Sequence, residues 1–111
     1  MLNQVVLVGK VRTLPTLKET QSGIKLAELM VEVERNFKNS QGIVETDDIQ
    51  CTLWRGLAET ALSQCQIGSL VGIRGRVQAA KFDTKEDKPF HYCEVIVEKI
   101  TFLHPSDMKT A

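Results

Sequence analysis

The stretch that decides the fold runs from Ile49 to Val77 and reads IQCTLWRGLAETALSQCQIGSLVGIRGRV. Its first seven residues are β-prone and partly alternating, which predicts a strand that ends at Arg55 and is broken by Gly56. The apolar residues that follow recur at helical spacing and predict a short amphipathic helix of about three turns. Gly68 can cap that helix in the left-handed conformation. The Gly-rich segment from Leu70 to Val77 is then predicted to be a second strand.

The N-terminal part of the chain also has the pattern of strands. An apolar run lies within a first predicted strand, Asn3 to Val11, which the segment Leu14 to Leu17 interrupts. From Ala27 to Glu34 apolar and polar residues alternate, which predicts a long strand with one face in the core. Residues 36–42 are polar apart from one aromatic and predict a hairpin loop.

The C-terminal part completes the pattern. Residues 79–89 are charged and predict a projecting hairpin, which leads into a last strand from His91 to Leu103. The order strand, strand, strand, helix, strand, strand predicts an all-β fold with one short helix, the OB-fold, a five-stranded Greek-key barrel. Residues 1–104 would form this single domain, and residues 105–111 a short flexible C-terminus.

The charge balance narrows the possible functions. The 111 residues carry 14 basic and 14 acidic side chains, for a net charge of zero, which excludes a histone-like electrostatic binder but not a protein with a local binding surface. No apolar run is long enough to span a bilayer, and the N-terminus lacks the pattern of a signal peptide. A cytoplasmic protein is therefore expected.

The three cysteines, Cys51, Cys65 and Cys93, are widely spaced and include no Cys-x-x-Cys motif. Reduced, mostly buried thiols are therefore predicted. His91 and Cys93 lie two residues apart, but without a second pair at ligand spacing they do not predict a metal site. No cofactor is expected.

Six motifs along nearly the whole chain resemble those of the bacterial-type single-stranded DNA-binding proteins, and most of all the short Gram-positive, competence-like paralogues. This resemblance implies an OB-fold homotetramer that is nucleoid-associated and wraps unpaired DNA, serving replication, recombination, repair or DNA uptake. The motifs are Met1–Lys10, Asn36–Asn39 with Gly42, Cys51–Arg55 with Ala58-Glu59, Gly68–Val71, Gly75–Gln78 and Glu94-Val95.

Base stacking is implied by the resemblance for three aromatic residues, Phe37, Trp54 and Phe82. Single-strand binding requires flat rings for the bases and cations for the phosphates, and each of these rings has a cation beside it in the sequence. A lone tryptophan at a strand end could equally belong to the core, and Tyr92 could be a site or a core residue. The candidate phosphate contacts, each of which could instead be a solvated surface charge, are Lys10, Arg12, Lys18, Arg35, Lys38, Arg55, Arg74, Arg76 and Lys81.

Three features depart from the family pattern. Asp48 occupies a position where an aromatic residue is common, and Gln78-Ala79-Ala80 lacks the arginines often found there. Glu28, Glu32 and Glu34 line the non-core face of the second predicted strand. Because these carboxylates oppose phosphates and reduce the number of phosphate contacts, binding is expected to be weaker and less salt-sensitive than in a more basic relative.

The resemblance also bears on partners. Replicative members end in an acidic tip that recruits other proteins, whereas this sequence stops at Lys109-Thr110-Ala111. Either the chain is an auxiliary paralogue that does not recruit partners through a tail, or the sequence is truncated. A homotetramer would raise the effective concentration of stacking sites on one strand, and the apolar segment Val5 to Val8 is a candidate edge for pairing between copies.

A protein-interaction module and an enzyme are the alternatives to a protein that coats DNA. The acidic second strand and the neutral net charge would suit an OB-fold protein-interaction or primosome module with weak nucleic-acid binding. An enzyme is not predicted: the sequence has no Ser/His/Asp set, no carboxylate pair flanked by a base and no phosphate-cradling Gly loop. Asp47-Asp48 is interpreted as a solvated loop at a strand start.

Overall fold

The computed structural model describes the backbone of residues 1–83 and 89–103 and the side chains of residues 1–79 and 92–103. Five strands form a closed barrel in the order β1-β2-β3-β5-β4, with one helix between β3 and β4. Only the β3–β5 pairing is parallel. This confirms the prediction of a five-stranded OB-fold. The elements are β1 (Val5–Glu19), β2 (Lys25–Lys38), β3 (Val44–Trp54), α1 (Gly56–Gln64), β4 (Leu70–Asp83) and β5 (Pro89–Leu103).

The core follows from the alternation of side chains along the strands. Ala27, Leu29 and Val31 of β2 are completely or almost completely buried, as the sequence pattern predicted. Helix α1 contacts β1, β2, β3 and β5 and buries its two alanines, Ala58 and Ala61, in the same cluster. Small side chains let the helix lie close over the barrel. The other strands contribute Val11, Cys51, Leu53, Val71, Ile73, Val95 and Val97 to this core.

Two glycines permit the close backbone contacts that shape the barrel. A Cβ atom on Gly9 would overlap the backbone oxygen of Glu32, and one on Gly75 would overlap that of Ile96. Both positions therefore require a residue without a side chain.

The first strand is longer than predicted. It continues beyond Val11 to Glu19, so the segment containing Pro15 does not end it. The reason lies in two register shifts, between Val11 and Thr13 and between Thr13 and Thr16. Bulges at these points leave Pro15 without a ladder partner, so the strand tolerates a residue that cannot donate a hydrogen bond.

Strands β3 and β4 are also longer than predicted. Strand β3 begins at Val44 rather than Ile49, so Asp47 and Asp48 lie within a strand and not in a loop at its start. The hairpin loop between β2 and β3 shrinks to residues 39–43. Strand β4 continues to Asp83. In both cases the partner strand supplies backbone pairing for the polar residues, and in β3 Asp47 also forms an ion pair with Arg35 of β2.

The remaining predictions concern the edges and ends of the fold. Val5 to Lys10 pair with β4, so one edge of the segment Val5 to Val8 is occupied. The β1–β2 register begins only at Lys10, and the other edge of this segment has no ladder partner in the described part of the chain. Residues 84–88 at the hairpin tip and residues 105–111 lie outside the described residues. In the part of the chain that is described, no helix is long and apolar enough to cross a membrane.

Candidate nucleic-acid interface

Trp54 lies at the junction between β3 and α1. It is the last residue of the strand, opposite Leu26 of β2, and its side chain remains 38% exposed. Because the inward positions of β3 are taken by residues such as Leu53, the alternation turns Trp54 to the outside of the barrel. The ring is therefore outside the core and accessible to a ligand.

Arg55 makes the turn from strand to helix in an unfavourable backbone conformation. Its φ of 58° and ψ of −124° lie in a region that side chains with a Cβ rarely adopt. Hydrogen bonds hold it from both sides: its N–H donates to the Lys25 carbonyl at 2.8 Å, and its carbonyl accepts from the Ala58 N–H at 3.0 Å. The strand is thus broken at Arg55, and not at Gly56 as predicted, because Gly56 is the first residue of the helix.

Phe37 is exposed near the other end of the β2–β3 hairpin. Its exposed fraction is 64%, and it lies where the β2–β3 register shifts, between Glu34 and Lys38. It lines an open depression together with Val6 and Val8 of β1. The eleven residues of β3 separate the hairpin tip from Trp54 by about 33 Å of strand length at the usual rise per residue. The two rings are therefore accessible but far apart on one chain.

The other two aromatic candidates lie on the β4–β5 hairpin. The backbone of Phe82 pairs with that of Phe90, and the backbone of Lys81 with that of His91. The side chains of these four residues lie outside the described part of the structure. Tyr92 of β5 is half-buried and lies opposite Ala80.

Two candidate cations of β1 are ion-paired with carboxylates of β2. Lys18 Nζ lies 2.8 Å from Glu28 Oε1, and Arg12 Nη1 lies 3.1 Å from Glu32 Oε2. The hydrogen bond to Glu28 and its negative charge raise the pKa of Lys18. Arg12 also lies 3.8 Å from Asp48. Glu28, Glu32 and Asp48, three of the four carboxylates singled out in the sequence, therefore lie against cations that were predicted to contact phosphate.

Two further candidates, Arg35 and Arg76, also have acidic partners. Arg35 donates two hydrogen bonds of 2.9 Å to the carboxylate of Asp47 and a third, of 2.6 Å, to Glu45. Hydrogen bonding from Arg35 holds the pKa of the Asp47 carboxyl group below its usual value. Arg76 lies 3.9 Å from Glu98. Arg35 is held more strongly than Arg76, because two of its N–H groups donate to the two oxygens of one carboxylate.

The remaining candidates with described side chains, Lys10, Lys38, Arg55 and Arg74, have no ion pair with a described residue. Arg74 lies opposite Lys99 of β5 in the register, and both line a depression beside Val6 and Val8. The sequence analysis did not single out Lys99. Its proximity to Arg74 depends on a pairing of distant strands, which no local pattern predicts.

Burial keeps two of the three thiols neutral. It raises the pKa of Cys51 to about 12 and also raises that of Cys65. Cys93 is exposed, and all three cysteines are free. In the described residues, no group of three or more side chains is arranged to hold a metal ion.

Comparison with known proteins gives one consistent result. The model of the single-strand binding protein family matches residues 2–103. The chain is 39% identical over 111 residues to "Single-stranded DNA-binding protein B" of Bacillus subtilis, covering all of this chain and 98% of that protein. It is 40% identical over 105 residues to "Single-stranded DNA-binding protein" of Halalkalibacterium halodurans, and 40% identical over 103 residues to "Single-stranded DNA-binding protein 3" of Listeria innocua.

The last two matches cover 95% and 93% of this chain but only 62% and 64% of those relatives. The chain therefore spans less than two thirds of their length, and nearly the whole length of the Bacillus subtilis protein. Proteins of the matched family are non-enzymatic DNA-binding proteins. With the closed five-stranded barrel and the match over residues 2–103, this chain belongs to the single-strand binding protein family.

Proposed function

We propose that the protein binds single-stranded DNA irrespective of its sequence and coats it during replication, recombination, repair or DNA uptake. The observation that carries this proposal is the exposed ring of Trp54 beside Arg55, a cation without an acidic partner among the described residues. A ring outside the core stacks on an unpaired base, and the adjacent guanidinium contacts the neighbouring phosphate. Membership of the family supports the same function.

The candidate residues contribute unequally in this proposal. Stacking on Trp54, Phe37 and Phe82 supplies roughly 1–3 kcal/mol for each base. Phosphate contacts come first from the cations that are not ion-paired, because the others must leave a carboxylate before they contact DNA. Among the candidates whose side chains are described, those without an ion pair are Lys10, Lys38, Arg55 and Arg74. Those with an acidic partner are Arg12, Lys18, Arg35 and Arg76. Lys81 and Tyr92 remain candidates on the β4–β5 hairpin.

A homotetramer in the cytoplasm, associated with the nucleoid, is part of the proposal. Phe37 and Trp54 lie toward opposite ends of the β2–β3 hairpin, which β3 separates by about 33 Å of strand length, so several copies would present rings at shorter intervals along one strand. The segment Val5 to Val8 is the candidate contact. One of its edges lacks a ladder partner in the described chain, and Val6 and Val8 are exposed on it.

Binding and assembly are tested together with fluorescently labelled oligo-dT of increasing length. We expect saturable binding at low salt, which weakens as salt is raised, and a protein mass four times that of the chain by light scattering. The measured stoichiometry should remain one DNA strand per tetramer as the oligonucleotide is lengthened. Undetectable binding at low salt would contradict the function, and a monomeric mass would contradict the assembly.

The second candidate is an OB-fold module that binds proteins, such as a primosome component, and has only weak affinity for nucleic acid. The observation that favours it is the set of carboxylates on the outer face of β2 and β3, where Glu28, Glu32 and Asp48 already engage the nearby cations. This candidate predicts that oligo-dT binds no more tightly than a duplex of the same length. The same titration with both ligands separates the two functions.

A further inference from the structure

The outward side of β1, β2 and β3 carries more negative than positive charge. We call this surface the acid-lined face and define it by three cations and four carboxylates. Alternation along the strands, together with the ion pairs, places their side chains on the same side of the sheet. The cations are Lys10, Arg12 and Lys18, and the carboxylates are Glu28, Glu32, Glu34 and Asp48.

The carboxylates of this face already occupy the positions that phosphates would take. Glu28 accepts hydrogen bonds from Lys18 at 2.8 Å and from Gln50 at 3.3 Å. Glu32 accepts one from Arg12 at 3.1 Å. A phosphate that binds either cation must displace a carboxylate held close by on a neighbouring strand. The displaced carboxylate then remains near the phosphate, which adds like-charge repulsion.

The face begins directly beside Trp54 and runs toward Phe37. Trp54 pairs with Leu26, and the next outward pair along the hairpin is Thr52 with Glu28. A strand stacked on Trp54 that continued toward the hairpin tip would therefore pass over Glu28, then Glu32, opposite Asp48. That direction is electrostatically unfavourable for DNA.

We propose that Glu28 and Glu32 act as intramolecular competitors of DNA phosphate for Lys18 and Arg12, which keeps the bound strand off the part of the acid-lined face that these two cations occupy. This inference rests on the proposed function, because it concerns the path of the same ligand. It assigns the two glutamates a role in determining where the strand runs and how strongly its binding depends on salt. The relevant cations are present in the fold but are not available to the ligand.

The test is the double variant Glu28→Gln/Glu32→Gln, which keeps the side-chain shapes and removes the competing charges. We expect tighter binding to oligo-dT and a plot of log affinity against log salt that is steeper by about 0.7 for each released cation. With both cations released, the ratio of dissociation constants between about 200 mM and about 50 mM salt becomes about sevenfold larger than in the parent protein. The single variant Glu28→Gln should give about half of the change in slope.

The matched control is Glu19→Gln/Glu59→Gln, which changes the net charge equally. Neither Glu19 nor Glu59 has an ion pair in the described part of the chain. If the control gains as much affinity and slope as the test variant, the effect is one of net charge and the inference is wrong. A test variant that matches the parent protein in both quantities would also contradict it.

A second set of variants identifies the released cations. Arg12→Gln/Lys18→Gln should weaken binding more in the Glu28→Gln/Glu32→Gln background, where it abolishes the gain, than in the parent protein, where carboxylates already hold both cations. An equal effect in both backgrounds would contradict the proposal. If the parent protein itself does not bind oligo-dT at low salt, the proposed function fails and this inference fails with it. If the parent protein binds oligo-dT and every variant binds it equally well, the proposed function stands and only this inference is wrong.

Discussion

The acid-lined face and the junction at Trp54 and Arg55 lie next to each other but present their cations differently. On the face, Arg12 and Lys18 are bound by carboxylates of the neighbouring strand. At the junction, Arg55 is held by its own backbone hydrogen bonds, and its guanidinium has no acidic partner among the described residues. The comparison shows that a count of basic residues says little about DNA binding unless it is known which of them are already paired.

The largest expected effect is at the aromatic ring of the junction. We expect Trp54→Ala to weaken binding to oligo-dT by about 1–3 kcal/mol, because it removes one stacking surface. Trp54→Phe is the control and should retain most of the affinity, since it keeps a flat ring. Anisotropy titrations at low salt measure both variants. An alanine variant that binds like the parent protein would remove Trp54 from the site.

The next effect concerns the backbone of Arg55. Arg55→Gly should raise the free energy of unfolding by about 1 kcal/mol, because glycine adopts a positive φ without strain. The same variant should weaken DNA binding, since it removes the free cation. Arg55→Ala is the control, because it loses the cation but keeps the strain. Urea unfolding of the three proteins tests this, and equal stability of the glycine and alanine variants would show that the conformation is not strained.

A direct comparison of two charge removals separates the regions. Arg55→Gln should reduce the salt slope of binding by about 0.7, the value for one lost phosphate contact. Lys18→Gln removes the same charge from the acid-lined face and should leave the slope nearly unchanged. Titrations over a range of salt concentrations provide both values. Equal reductions would mean that the ion pair with Glu28 does not keep Lys18 from the DNA.

The smallest effect is on stability at acid pH. Arg35 holds the pKa of Asp47 below its usual value of 3.8. A carboxyl group whose pKa is lowered in the folded state stabilises the fold at higher pH. This contribution begins to decrease as the pH falls below the usual pKa of 3.8, and it is lost once the pH falls below the folded-state pKa. The difference in stability between the parent protein and Asp47→Asn should therefore shrink between about pH 5 and about pH 2. A difference that stays constant over this range would contradict the role of the Arg35 contact.

Much of the fold could be predicted from local patterns. The alternation in β2 predicts its buried face, and the sequence from Ile49 to Val77 predicts strand, helix and strand in the right order. The extension of β1 past Pro15 could not be predicted, because it depends on bulges relative to β2. The early start of β3 has a similar cause, since Asp47 pairs across the hairpin with Arg35 of β2 and Asp48 lies near Arg12 of β1.

The candidate site was less accessible to sequence reasoning than the fold. The acidic character of the outer face of β2 was visible as a pattern, and the structure places Glu28 and Glu32 there. Their pairing with Lys18 and Arg12 was not visible, because it requires the register between β1 and β2. The conformation of Arg55 was hidden for another reason. A glycine follows it, and sequence rules assign the break to the glycine.

The most direct test of the central claim uses the fluorescence of the protein itself. Trp54 is its single tryptophan, so the intrinsic emission reports on the ring proposed to stack on DNA. The account predicts saturable quenching by oligo-dT at low salt, reversed as salt is raised and much weaker with a duplex of the same length. Emission that is unchanged while a labelled oligo-dT binds, or that responds equally to the duplex, would contradict it.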